Sequence, residues 1–259
     1  MRVLITGGYS GIGFEVAKRI SLYHKVYIGI HRDDELKYAK IKIKNYKNIK
    51  AIKLDIASIN DIKKIKRYEF DIVVLNASIG IGGSILDIPI ERIKECYDVN
   101  VIGSINVIKS VIKNMYDNDY GRIIVISSLV GLVPFKFMGI YGSTKSSLIN
   151  LSIALRKELK LISNNIKISL IEPGAYKTGF NEVMLENKYK YLNKSIYFKN
   201  KELKIRKNES KIFRFIESYN LNSVVNKIED AIMSDNPRFV YRVPFLQGLI
   251  KKIEFFLFY

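Results

Sequence analysis

Short apolar runs and longer amphipathic stretches alternate along most of this chain. The pattern predicts strands near Arg2–Thr6, Lys25–Ile30, Lys50–Leu54, Asp71–Leu75, Arg122–Ser127, Lys167–Ile171 and Phe239–Val243. Helical spacing appears near Gly11–Leu22, Asp34–Tyr46, Ile59–Tyr68, Ile90–Tyr116, Gly142–Ser163 and Ser223–Ser234. Several strands are apolar at every position, as in Ile72-Val73-Val74-Leu75. A strand covered by helices on both faces reads this way. The alternation predicts an α/β fold built on a doubly wound parallel sheet of about seven strands with helices on both faces.

One stretch breaks the alternation. Residues 176–219 are rich in Lys, Asn and Tyr and poor in strand signals. They read as short helices and loops lying over a substrate site, since long insertions in compact domains tend to be functional. No linker rich in Gly, Pro or Ser divides the chain, so residues 1–259 read as one domain with 176–219 as a lid and 245–259 as an apolar tail.

Composition adds little to this. The single cysteine, Cys96, leaves no intramolecular disulfide, which fits a reducing, cytoplasmic setting. No apolar run approaches the length of a membrane span. The formal charge of +18 is spread along the chain and interleaved with Ile and Asn. Lysine filling solvated faces accounts for it, and no specific nucleic-acid partner is expected. No metal site is expected either.

The candidate chemistry begins at the amino terminus. Behind Val3-Leu4-Ile5 stands Thr6-Gly7-Gly8-Tyr9-Ser10-Gly11-Ile12-Gly13, directly before a helix. Glycines let the backbone turn tightly and approach a pyrophosphate, and the helix start offers free N–H groups and its positive dipole end. Further on, Tyr141 and Lys145 stand about one helical turn apart and share a face. An ammonium beside a phenol is expected to favour phenolate and lower a pKa that is ordinarily about 10. Tyr141 would then exchange a proton with a carbonyl or alcohol oxygen. Ser128, just past a strand, would hold that oxygen, and Asn100 would position a water relaying protons to Lys145.

These residues together resemble the short-chain dehydrogenase/reductase family. The glycine segment matches its TGxxxGxG motif, and Asn76-Ala77-Ser78-Ile79-Gly80 resembles its NNAG segment, with Ser78 a departure. Asn100, Ser128, Tyr141 and Lys145 match its catalytic tetrad, and Pro173-Gly174-Ala175-Tyr176-Lys177-Thr178 its PGxxxT segment. The resemblance implies a Rossmann-type fold and an NAD(P)-dependent oxidoreductase acting on a carbonyl or secondary alcohol. It also implies cofactor contacts from Gly7, Tyr9, Ser10, Gly11, Ile12 and Gly13 at the pyrophosphate. Asp55 and Ile56 would lie at the adenine, and Asn76 and Ala77 at the adjoining ribose. Asn100, Tyr141 and Lys145, with Pro173, Gly174, Tyr176 and Thr178, would lie around the nicotinamide. A homodimer or homotetramer is implied, joined through the Ile90–Tyr116 and Gly142–Ser163 helices. Two other readings stay open, an extended nucleotide-sugar epimerase and a cofactor-binding scaffold without catalysis.

The second strand ends at Ile30, followed by His31 and Arg32. With no carboxylate there and Arg32 able to pair with a 2′-phosphate, NADP(H) is favoured over NAD(H). The substrate site carries Met184, Leu185, Tyr189, Tyr191 and Phe198, which points to a lipophilic substrate. In the tail, Leu246, Leu249, Ile250 and Ile253 fall at helical spacing before Phe255-Phe256-Leu257-Phe258. That stripe suits packing on the core or a subunit, or peripheral contact with an anionic membrane.

Overall fold

The computed structural model describes residues 1–198, 201, 203–207, 217–245 and 247–248. Its strands are β1 (Arg2–Thr6), β2 (Lys25–Ile30), β3 (Ile49–Lys53), β4 (Ile72–Leu75), β5 (Gly121–Ile126), β6 (Ile166–Pro173) and β7 (Val240–Val243). All pair in parallel, in the order β3-β2-β1-β4-β5-β6-β7.

The two faces of the sheet follow from the strand period of two. Val3 and Ile5, Ile72 and Val74, and Ile124 and Ile126 enter one core. Leu4, Val73 and Leu75, and Ile123 and Val125 enter the other. The first core is closed by α1 (Gly11–Ile20), α2 (Asp33–Lys42) and α8 (Asn222–Met233), through residues such as Val16, Ala39 and Ile228. The second is closed by α3 (Ile59–Ile65), α5 (Ser104–Asp117) and α6 (Gly139–Ile162), through Ile65, Val111 and Leu148. Burying each such side chain stabilises the fold by about 1.5–3 kcal/mol relative to leaving it in water.

Strand order reverses direction at β1, which sits between β2 and β4. The chain runs outward from β1 to β3, returns to β4, and continues the other way. The loops after β1 and β4 therefore diverge, and a crevice opens above their carboxyl ends.

Local departures from the periodicity have physical causes. The helix expected over Ile90–Tyr116 runs on without interruption to Asp117, but between α4 (Ile90–Tyr97) and α5 it passes through a π-helical turn at Asp98–Gly103. Within that turn the Asn100 side chain is drawn to the backbone of Ile79, beyond β4. Residues 176–219 are more regular than short helices and loops, for they contain the 15-residue α7 (Phe180–Lys194). Its buried face is Met184, Lys188 and Leu192, at i, i+4 and i+8. A lysine occupies the middle of that stripe with its stem packed inward, so the apolar spacing is hidden in the sequence. The excursion closes on itself where Tyr176 bridges Ser218 and the Tyr176 hydroxyl meets Ser223 Oγ at 2.7 Å.

No described helix is long and apolar enough to cross a membrane. Of the tail, Phe245, Gln247 and Gly248 are described. The stripe Leu246, Leu249, Ile250 and Ile253 and the aromatic run after it lie outside the described residues.

Candidate active site

The turn after β1 takes its shape from glycine. Gly7 and Gly11 hold φ of 62° and 55°, a left-handed conformation that strains other residues. At Gly13 a Cβ would stand 2.6 Å from Asn76 Nδ2 and 2.8 Å from the Gly7 carbonyl oxygen. The β1 and β4 loops are stitched together there. Thr6 Oγ1 accepts from the backbone N–H groups of Asn76 and Ala77, both at 3.0 Å. Asn76 Nδ2 in turn donates to the carbonyls of Thr6 (3.0 Å) and Gly7 (2.9 Å). Helix α1 starts at Gly11 with no side-chain cap and no acidic residue in its first turn. Its free N–H groups and positive end face the turn, an arrangement that suits a phosphate.

One cavity of about 1480 Å³ runs from this turn across the sheet edge. Gly7, Tyr9, Ser10, Gly11 and Ile12 line one end, with His31, Asp55 and Ile56 beside them. Asn76 and Ala77 line the middle. Ser128, Tyr141, Lys145, Pro173, Gly174, Tyr176 and Thr178 line the other end. Gly13, Arg32 and Asn100 are not in the wall. Ser78, the departure from the family segment, is in the wall, and its buried Oγ has no protein partner. A glycine cradle, an uncapped helix start and an unpaired wall hydroxyl together fit a bound dinucleotide.

The candidate reacting groups converge from β5 and α6. Ser128 follows β5, accepting from the Val130 N–H and donating to the Pro173 carbonyl, both at 3.3 Å. Tyr141 and Lys145 leave the same face of α6, both buried, with the ammonium nitrogen 5.6 Å from the phenol ring centre. Lys145 Nζ donates to the Ile126 carbonyl at 2.9 Å, which fixes its direction.

The electrostatics differ from the expectation of an ammonium lowering the phenol. Burial pushes the Tyr141 phenol up, against the opposing hydrogen bond of Ser128. Burial also pulls Lys145 down to about 8, with nearby Cys96 opposing. Burial thus favours the neutral phenol.

Asn100 has a bonding network of its own. It is fully buried, and its amide is fully engaged. Oδ1 accepts from the Ile79 N–H at 2.8 Å. Nδ2 donates to the Ile79 carbonyl (3.0 Å) and Thr144 Oγ1 (3.0 Å), with Cys96 Sγ at 3.4 Å. The side chain clamps the β4 loop to α6. Asn100→Ala should lower stability by about 2 kcal/mol, since the partly buried Ile79 N–H and carbonyl both lose their partner. Urea unfolding with the midpoint and slope both recorded checks this.

At the adenosine end Arg32 is exposed and forks onto Asp34, with Nε–Oδ1 at 3.0 Å and the terminal nitrogen at 2.5 Å from Oδ2. His31 pairs with Glu35 at 3.4 Å, and Glu35 joins the cavity wall. Asp55 Oδ1 accepts from the Ala57 N–H at 3.0 Å, capping its own turn while facing the cavity.

Several wall residues carried no signal in the sequence. Val130, Phe137, Met138 and Phe180, beside the expected Met184, form an apolar lining around Tyr141, whose ring lies 5.6 Å from that of Phe180. Gln247 reaches back after β7, and its Oε1 accepts from the Ala175 N–H at 3.1 Å, tethering the Pro173–Thr178 loop. These positions depend on how distant loops fold over the crevice, which no local pattern encodes.

Comparison with known proteins bears on this geometry. A family model described as short chain dehydrogenase matches residues 1–188. The probable short-chain type dehydrogenase/reductase VdlC of Helicobacter pylori is 31% identical over 191 residues, covering 71% of this chain and 68% of that protein. A 3-ketodihydrosphingosine reductase of Bacteroides thetaiotaomicron is 29% identical over 180 residues, covering 70% of this chain and 65% of that protein. Among solved structures, the closed form of serine dehydrogenase complexed with NADP+ superposes with a TM-score of 0.77 at 21% identity, covering 94% of both chains. A short chain dehydrogenase/reductase from Burkholderia phymatum in complex with NAD reaches 0.81 at 16% identity, covering 97% of this chain and 91% of that one. These two share the fold. With the family model spanning the glycine turn, the buried tyrosine–lysine pair and the loop after β6, the chain belongs to the short-chain dehydrogenase/reductase family.

Proposed function

We propose that the protein is an NADP(H)-dependent oxidoreductase that interconverts a lipophilic carbonyl compound and its secondary alcohol. The observation that carries this reading is the shared cavity, with Tyr141, Lys145 and Ser128 buried in its wall at one end and the glycine turn at the other. A bound nicotinamide supplies or accepts the hydride. Tyr141, held protonated by burial, donates its proton to the carbonyl oxygen in the reducing direction. The Ser128 hydroxyl holds that oxygen, and Lys145 carries positive charge beside the phenol to favour the charge that develops on it. The scaffold and epimerase readings gain no specific observation.

The apolar wall of Val130, Phe137, Met138, Phe180 and Met184 supports a lipophilic substrate. The name of the Bacteroides relative, a 3-ketodihydrosphingosine reductase, is in keeping with that class. The NADP(H) preference rests on β2 ending at Ile30 with no carboxylate and on Arg32 two residues on. Arg32 is held by Asp34, but the pair is exposed and solvent-screened, so a 2′-phosphate can displace the carboxylate readily. A groove between α5 and α6, lined by Ile105, Ile108, Leu151 and Leu155, supports a homodimer or homotetramer formed through those helices.

The test follows NADPH and NADH oxidation against ketones and aldehydes of increasing chain length. NADPH should be the better cofactor, and kcat/KM should rise with chain length. Arg32→Ala should cost about tenfold in kcat/KM with NADPH and leave NADH unchanged. Equal use of both cofactors, with no effect of Arg32→Ala, would refute the preference.

A further inference from the structure

The segment that follows α7 combines two properties that seldom coexist on a soluble surface. Residues 195–207 carry five Lys or Arg against one acid, Glu202. Within the same stretch Ile196 is 87% exposed, Leu203 77% and Tyr197 57%. An isolated exposed apolar side chain means little, but apolar groups set among cations are a recognisable surface chemistry.

This surface stands at the mouth of the substrate cavity. The Phe198 ring packs edge-on against Phe137 at 5.4 Å, and Phe137 and Ile205 both line the cavity. Phe135, also in the wall, is 41% exposed. Ile85, 61% exposed, lies against the backbone at Gly139, next to Met138 of the wall. The Ser195 hydroxyl accepts from the N–H groups of Tyr197 and Phe198 (3.0 and 3.1 Å), which holds the loop with its apolar side chains outward. Exposed apolar groups thus rim an opening that leads into an apolar interior, with lysines around them.

We propose that this rim docks on an anionic lipid surface and that a lipophilic substrate enters the cavity directly from it. Cations of this density complement anionic headgroups, and Ile196, Tyr197 and Leu203 supply shallow insertion. A nucleic acid would use the cations but leave the protruding aliphatic side chains unburied, so a lipid surface is the better match. The substrate route rests on the lipophilic reading of the cavity. The docking itself does not, so vesicle binding can succeed or fail independently of turnover.

The experiment is co-sedimentation with vesicles of pure phosphatidylcholine and of phosphatidylcholine mixed with phosphatidylglycerol. The wild-type chain should bind the mixed vesicles, more weakly as salt rises, and not the pure ones. Ile196→Ser/Leu203→Ser and Lys201→Glu/Lys204→Glu should each lose at least about tenfold in binding. Both should still turn over a short soluble aldehyde as wild type does, which shows that they are folded. Removing residues 249–259 should leave binding in place. The proposal is overturned if the serine variant binds as wild type does, if pure phosphatidylcholine binds equally well, or if binding disappears with the tail. Displacement of the protein from mixed vesicles by single-stranded RNA at equal charge would also overturn it, reassigning the surface to nucleic acid.

Discussion

Tyr141→Phe is expected to lower kcat/KM by about a thousandfold, the scale of a lost general acid. The substitution removes one oxygen from a side chain packed among Met138, Phe180 and Met184, so the wall keeps its shape. Cofactor affinity should change by no more than about twofold, because the glycine turn and the Pro173–Thr178 loop are untouched. Fluorescence titration with NADPH and steady-state kinetics on the same preparation separate the two effects. A variant that keeps its turnover would remove Tyr141 from the chemistry. A variant that loses cofactor binding would make the residue structural.

Lys145→Met should produce an opposite pair of effects, with activity down by about a thousandfold and stability up. Burial lowers the Lys145 value from 10.5 to about 8. That difference corresponds to about 3 kcal/mol of penalty for the buried cation. Methionine has a similar volume and no charge, but it leaves the Ile126 carbonyl without its donor, at a cost of about 1–3 kcal/mol. The net gain is about 1 kcal/mol, or about 2–4 °C in Tm. Its pH dependence has a definite sign. The folded protein releases this proton more readily than the unfolded chain, so the penalty is complete below pH 8. It fades as pH rises from about 8 toward 10.5, and the advantage of the variant fades with it. Wild-type turnover in the reducing direction should also fall as pH passes about 8, where Lys145 loses its charge. Thermal unfolding at neutral pH and at pH near 10.5 checks the first claim, and a pH–rate profile checks the second. A variant less stable than wild type at neutral pH would show that the buried ammonium is worth more to the fold than its desolvation costs.

Much of the fold was legible because its signals are local. Strand runs such as Ile72–Leu75 are apolar on both faces because helices cover both, and their positions follow from that alone. The glycine turn was legible for a similar reason, since a strand, a left-handed turn and a helix start must be contiguous. Tyr141 and Lys145 were placed together because helical spacing guarantees a shared face. Where the structure departs from plain periodicity, a residue serves two roles. The helix expected over 90–116 is present throughout, with a π-helical turn at Asp98–Gly103 where Asn100 bonds a loop 21 residues away. Helix α7 was hidden because Lys188 occupies a buried position.

The amino-acid sequence by itself determined the layered sheet, the glycine turn and the shared helix face of Tyr141 and Lys145, because each depends on neighbours within one or two turns of chain. Tertiary structure alone decided the rest. It engages the Asn100 amide with Ile79 and Thr144 and brings Gln247 to the loop after β6. It also shifts the Tyr141 phenol up and Lys145 down, because desolvation is set by every atom that folds over a group and by none of its neighbours in sequence alone.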